Sequence, residues 1–169
     1  MLLIRPESSA DWPAIRDVTV RAFGRAAEAR LVEALRASPN FVAALSLVAV
    51  DDGHVVGHIL FSRIHIRSAE RRVPAMALAP VAVLPEHQRC GIGSALITHG
   101  LQECRRLGER IVVVVGHPNY YPRFGFTSAR AAGLEAPFPD AAFMVQALTP
   151  GALDGVRGTV EYPPAFAGV

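Results

Sequence analysis

The residues best suited to chemistry lie in two stretches. The first, Val81 to Ile97, reads VAVLPEHQRCGIGSALI: an apolar run, a proline, a polar turn with two glycines one residue apart, then a helix-like pattern. A turn joining a strand to a helix presents the first amides of that helix, which have no intrahelical acceptor and carry partial positive charge. Such a turn is an anion site. Gly91 and Gly93 let backbone approach closely and adopt positive φ. The expected ligand is a phosphate or pyrophosphate. The second stretch, GHPNYYPRFGF from Gly116 to Phe126, gathers an imidazole, a carboxamide, two adjacent phenols and a guanidinium. These are groups that move protons or hold anions.

Two common phosphate motifs are excluded. A P-loop needs a lysine, and the chain has none; all 17 of its basic residues are arginine. A dinucleotide fingerprint needs GxGxxG, and Gly91-Ile92-Gly93-Ser94-Ala95-Leu96 ends in leucine. Two glycines alone also fit a plain turn before an amphipathic helix.

The elements that must position these residues follow from periodicity. Leu2 to Arg5 reads as a strand ended by Pro6. Ser9 and Asp11 can cap a helix that buries Trp12, Ile15, Val18 and Phe23. A second helix over 28–37 turns Leu31, Val32 and Leu35 inward. Ala44 to Val50 and His54 to Arg67 read as strands joined by an Asp51-Asp52-Gly53 hairpin turn. A strand over 75–84, a helix over 92–108 and a strand over 110–116 come next, then a short turn at Tyr120 to Phe124 and late strands over 143–148 and 159–162. Val112 to Val115 is apolar on both faces, which suits a covered central strand. The result is an α/β chain with a mixed sheet and helices on both faces.

Composition bounds the rest. A chain of 169 residues, 51% hydrophobic and 19% charged, fits a single domain over 1–169 with one filled core. No apolar run approaches the roughly 20 residues of a membrane span. The start, MLLIRPESSADW, lacks the pattern of a signal peptide, so a cytoplasmic protein is expected. Cys90 and Cys104 form neither a disulfide framework nor a metal cluster, and the six histidines are scattered, so no metal is expected. A net charge of +2 with dispersed arginines argues against nucleic acid.

Gln88-Arg89-Cys90-Gly91-Ile92-Gly93 matches [QR]xxGx[GA], and on it the chain resembles the GNAT superfamily of N-acetyltransferases. LAPVAVLPEHQRCGIGSALI is similar to that family's fourth strand, loop and third helix, and VVVVGHPNYYPRFGF to its fifth strand and following turn. The order of elements agrees, and the nearest likeness is to a bacterial subgroup of acetyltransferases with a G-[DH]-P-x-Y-Y-x-R-F-G-F stretch. The resemblance implies a mostly antiparallel mixed sheet with a parallel, splayed fourth and fifth strand. It implies acetyl-coenzyme A (acetyl-CoA) as co-substrate, and direct attack by the primary amine of an unnamed small-molecule or peptide acceptor. A domain that binds acetyl-CoA as a sensor, without catalysis, is the other reading. Monomer and homodimer are both open.

The resemblance also implies roles. Amides from Arg89 through Cys90, Gly91, Ile92 and Gly93 to Ser94 would wrap the pyrophosphate, with Gln88 opening the motif. The backbone of Val81, Ala82 and Val83 would pair with the pantetheine arm, and a bulge at Pro80 would free the amide of Ala82 or Val83 for the thioester oxygen. Tyr121, four residues before Gly125, would protonate the leaving thiolate; a core phenol is the plainer alternative. Asn119, Tyr120 and Arg123 would contact the cofactor. His117 is the first candidate for general base, ahead of Glu86 and His65. The acceptor groove would lie by the first two helices, with Glu28, Arg30, Glu33 and the Arg63, His65 and Arg67 face as its lining.

Overall fold

A computed structural model describes all 169 residues. The strands are β1 (Leu2–Pro6), β2 (Phe41–Asp51), β3 (His54–Arg67), β4 (Arg72–Val83), β5 (Ile111–Val115), β6 (Thr127–Ser128), β7 (Leu134–Glu135), β8 (Phe143–Ala147) and β9 (Gly158–Glu161). The helices are α1 (Trp12–Phe23), α2 (Ala27–Arg36) and α3 (Ile92–Arg106). One sheet runs β1-β2-β3-β4-β5-β8-β6, with β9 pairing β3 and β7. Every pairing is antiparallel except β4 with β5 and β7 with β9. Asp52 and Gly53 both have positive φ, the turn that a tight two-residue hairpin between β2 and β3 requires.

Two features of β4 shape the molecule. Its pairing with β5 is confined to Met76–Val112 and Ala77–Val113. Beyond those residues the parallel strands part, which leaves an open wedge. The second feature is the expected bulge. Between Phe61 and Ile59 the partner strand advances from Leu78 to Val81, one residue more than β3, with Pro80 in the extra stretch.

The helices cover both faces. α3 lies on one, close enough that a Cβ on Gly100 would stand 2.2 Å from the Phe61 ring. α1 and α2 cover the other through Ile15, Leu31, Val32 and Leu35 over Val48 and Leu60. Here the sequence expectation needs correction. Trp12 and Phe23 are exposed, and the buried stripe of α1 is Ile15, Val18 and Thr19. Trp12 instead donates from Nε1 to Glu7 at 2.7 Å and stacks on Arg36. The capping pair before α1 is Ser8 with Asp11, not Ser9 with Asp11. Val115 is also exposed, because β4 has already diverged beside it.

Candidate active site

The loop between β4 and α3 is built to leave its amides free. Arg89 and Gly91 take positive φ, at 63° and 84°. The N–H groups of Arg89, Cys90, Gly91, Ile92, Gly93 and Ser94 meet no acceptor in the protein; the neighbouring amides of Gln88 and Ala95 are bonded to Pro85 and Gly91. Six consecutive free donors at a helix start are suited to an anion. The two glycines serve differently. Nothing lies within 4 Å of a Cβ on Gly91, so its conformation is what matters there. A Cβ on Gly93 would touch the Tyr120 hydroxyl at 3.5 Å and Val83 Cγ2 at 3.9 Å, an ordinary contact.

The edge of β4 continues this site into the wedge. Leu84 N–H donates to the Val56 carbonyl at 2.9 Å, and Val83, Ala82 and Val81 stand opposite Gly57, His58 and Ile59. Antiparallel pairs alternate between bonded and unbonded. His58–Ala82 is therefore a bonded pair, and the polar groups of Val81 and Val83 turn away from β3 toward the wedge. Of the two amides expected to be free, that of Val83 is open and that of Ala82 is committed to β3. The Val83 carbonyl accepts from Gln88 Nε2 at 3.0 Å.

The two phenols differ sharply. Tyr121 is buried, with its ring against Gly116; a Cβ there would lie 2.3 Å from the ring. Tyr120 and Phe126 meet that ring edge-on at 5.2 and 5.8 Å. Burial, with a smaller contribution from Tyr120, pushes the Tyr121 hydroxyl up to about 12, and no hydrogen bond opposes the shift. Tyr121 is thus neutral across the physiological range. Tyr120 is half-buried, and its hydroxyl lies 3.1 Å from Ser94 Oγ on α3. The Arg123 guanidinium sits 4.8 Å from the Tyr120 ring centroid.

His117 and Asn119 are exposed just past the end of β5. The other base candidates are engaged elsewhere. Glu86 is paired with Arg21 of α1 at 2.7 Å. His65 is bonded to Arg72 and stands opposite Pro74, roughly 25 Å from Val83 along the strand at ~3.3 Å per residue. Arg63 and Arg67, on the same face, are paired with Glu109 and Glu161. That face closes the far end of the sheet and does not line the wedge. Glu28 and Glu33 are held by Arg25 and Arg16, while Arg30 is exposed. A surface cavity of about 680 Å³ by Trp12, Arg16, Glu33 and Arg36 shares no residue with the wedge.

One buried polar cluster had no signal in the sequence. Glu7 accepts from Arg36 at 2.8 and 3.1 Å and from the Ser46 hydroxyl, and Ser46 Oγ lies 2.9 Å from His58 Nε2. These residues come from four separate segments, and no local spacing joins them.

Residues 3–129 match the family model of the acetyltransferase (GNAT) domain. The chain belongs to the GNAT family of N-acetyltransferases. It is 44% identical over 147 residues to YjhQ, an uncharacterized N-acetyltransferase of Escherichia coli K12, covering 83% of this chain and 81% of that one. It is 37% identical to YhbS, an uncharacterized N-acetyltransferase of E. coli K12, over 98% of both chains. The crystal structure of E. coli YhbS in complex with CoA superposes with a TM-score of 0.90, at 36% identity over 98% of this chain and 91% of that one. A GNAT-family acetyltransferase of Brucella melitensis in complex with acetyl-CoA gives 0.81, at 37% identity over 98% of both. The splayed β4–β5 pair and the covered mixed sheet are thus those of the GNAT fold.

Proposed function

We propose that residues 1–169 form one transferase domain that moves an acetyl group from acetyl-CoA to a primary amine of a small-molecule or peptide acceptor. The observation that carries this reading is the run of six unpartnered amides, Arg89 to Ser94, adjoining the free edge of β4. One end of the site suits a pyrophosphate, and the other suits an extended amide-bearing arm. The CoA and acetyl-CoA complexes of the YhbS and B. melitensis relatives support the assignment. Two unpaired cysteines accord with a reducing, cytoplasmic setting.

Acetyl-CoA supplies an activated acyl carbon. In our reading an open amide on the β4 edge faces the thioester oxygen as charge develops there. His117, exposed at the end of β5 with no side-chain partner in the protein, accepts the proton that the attacking amine sheds. As the carbon–sulfur bond breaks, Tyr121 gives its phenolic proton to the departing thiolate. A phenol pushed up to about 12 stays protonated until that moment; burial makes it a weaker acid, and it recovers its proton readily afterwards. Asn119 and Arg123 border the arm and the phosphates. The products are an acetylated amine and free CoA thiol.

Calorimetry with acetyl-CoA, together with thiol release across a panel of amines, tests this reading. Binding with thiol release for one class of amine is the expected result. Tyr121→Phe should bind acetyl-CoA as the parent does and turn over about 10²-fold more slowly, the low end for loss of a general acid. Tight binding with no thiol release from any amine would favour the sensor reading. Absence of binding would overturn both.

A further inference from the structure

We propose that Tyr120 is a latch on the cofactor cleft, and that coenzyme A enters by displacing its hydroxyl from Ser94. The proposal rests on the acetyl-CoA reading above. If phosphates sit on the amides of Arg89 to Ser94 and the arm lies along Val81 and Val83, the ligand must turn a corner between α3 and the end of β4. Gly93, Ser94 and Val83 form that corner. The Tyr120 hydroxyl occupies it, 3.1 Å from Ser94 Oγ and 3.5 Å from where a Gly93 Cβ would stand. Ser94 follows β4 and Tyr120 follows β5, so this hydrogen bond ties together the elements at the mouth of the splayed strands.

The surroundings suit a part that moves. Tyr121 is locked beneath Gly116 in the core, but Tyr120 is half-buried, and the exposed Arg123 guanidinium is stacked on its ring. Outward movement of the ring with Arg123 gives up its edge contacts with Tyr121 and Phe124, at 5.2 Å each, and leaves those two rings where they are. Gln88 acts in parallel on the strand side, where its carboxamide holds the Val83 carbonyl that an incoming arm would need. In the free protein, side chains of the chain itself thus satisfy polar groups at the two sides of the entrance.

The test is stopped-flow association of acetyl-CoA with the parent, Tyr120→Phe, Ser94→Ala and the double variant. A net hydrogen bond between neutral groups corresponds to about three- to tenfold in an equilibrium constant. Tyr120→Phe should raise the association rate and tighten the Kd by about that factor. Ser94→Ala should accelerate association in the parent but not in the Tyr120→Phe background, because both variants remove the same bond. An unchanged association rate in Tyr120→Phe overturns the latch, and so does weaker binding, which would mean the hydroxyl contacts bound cofactor. Acceleration by Ser94→Ala that persists in the Tyr120→Phe background also overturns it. These outcomes leave the acetyl-CoA reading intact; only a parent that binds no acetyl-CoA removes both.

Discussion

Two groups of polar atoms in this protein are treated in opposite ways. In the Glu7 cluster, beneath α1 and α2, the carboxylate is saturated by Arg36, Trp12 and Ser46, with His58 3.5 Å away. In the Arg89–Ser94 loop, six amides have no partner at all. Buried polar groups without partners destabilise a fold, and the Glu7 carboxylate is satisfied from within, although the buried Nδ1 of His58 beside it has no partner. A solvent-facing loop can leave its donors to water and exchange water for a ligand. The difference separates a cluster that joins strands and a helix inside the fold from a loop whose donors are open to a ligand, and each can be disturbed without the other.

The largest effect is expected at the cluster. Burial alone would raise Glu7, but hydrogen bonds from His58, Arg36 and Ser46 outweigh it and hold the carboxyl at about 2. A depressed carboxylate stabilises the fold fully above its unfolded value near 4.5 and loses that contribution as pH falls toward 2. The shift corresponds to about 3 kcal/mol. Glu7→Gln should cost a similar amount in urea unfolding at pH 7, because it strands Arg36, whose side chain is 12% exposed. It should also flatten the fall in stability between pH 4.5 and 2. Affinity for acetyl-CoA, measured on the folded fraction, should not change. A variant as stable as the parent would show that the cluster is not what holds β1, β2 and α2 together.

The reverse disturbance is Gly91→Ala. Its φ of 84° costs a side chain roughly 1–2 kcal/mol, and Arg89 already stands in the same region. The exposed loop can relieve the strain by changing shape, but then its six amides no longer keep their relative positions. Acetyl-CoA affinity should fall more than tenfold, with a thermal midpoint only a few degrees lower. Equal losses of stability and binding would mean that the loop is part of the folding unit, and the contrast drawn above would fail.

How far the sequence foretold each region follows from the range of the interactions. The loop was legible because its signal is local: glycines at fixed spacing, an apolar strand before and a helical period after. The β2–β3 hairpin was legible for the same reason. The Glu7 cluster was not, since Glu7, Arg36, Ser46 and His58 meet only when β1, β2, β3 and α2 assemble. Trp12 escapes a periodicity argument, because an apolar period cannot reveal that an aromatic will lie over an arginine at the helix start. Strands β6 and β7, two residues each, exist only through distant partners in β8 and β9. The choice between Ala82 and Val83 was a question of parity, and parity depends on the register beyond the bulge at Pro80. Similarly, the sequence set two tyrosines side by side. Only packing decides that Tyr121 goes into the core while Tyr120 reaches α3.

The finest discrimination lies between the two glycines of one motif. Gly93 has no positive φ, and a Cβ there would make van der Waals contacts of 3.5 and 3.9 Å with Tyr120 and Val83. Gly93→Ala should therefore fold with a stability change within about 0.5 kcal/mol, helped by the better helix propensity of alanine near the start of α3. The added methyl would touch the Tyr120 hydroxyl at ordinary contact distance and leave the six amides in place, so acetyl-CoA affinity should change less than threefold. This agrees with a motif that accepts glycine or alanine at its last position and only glycine two residues earlier. A Gly93→Ala loss as large as that of Gly91→Ala would mean that the room beside Tyr120 limits the site, rather than the shape of the loop. The free amides would then be necessary for the anion but would not set its affinity.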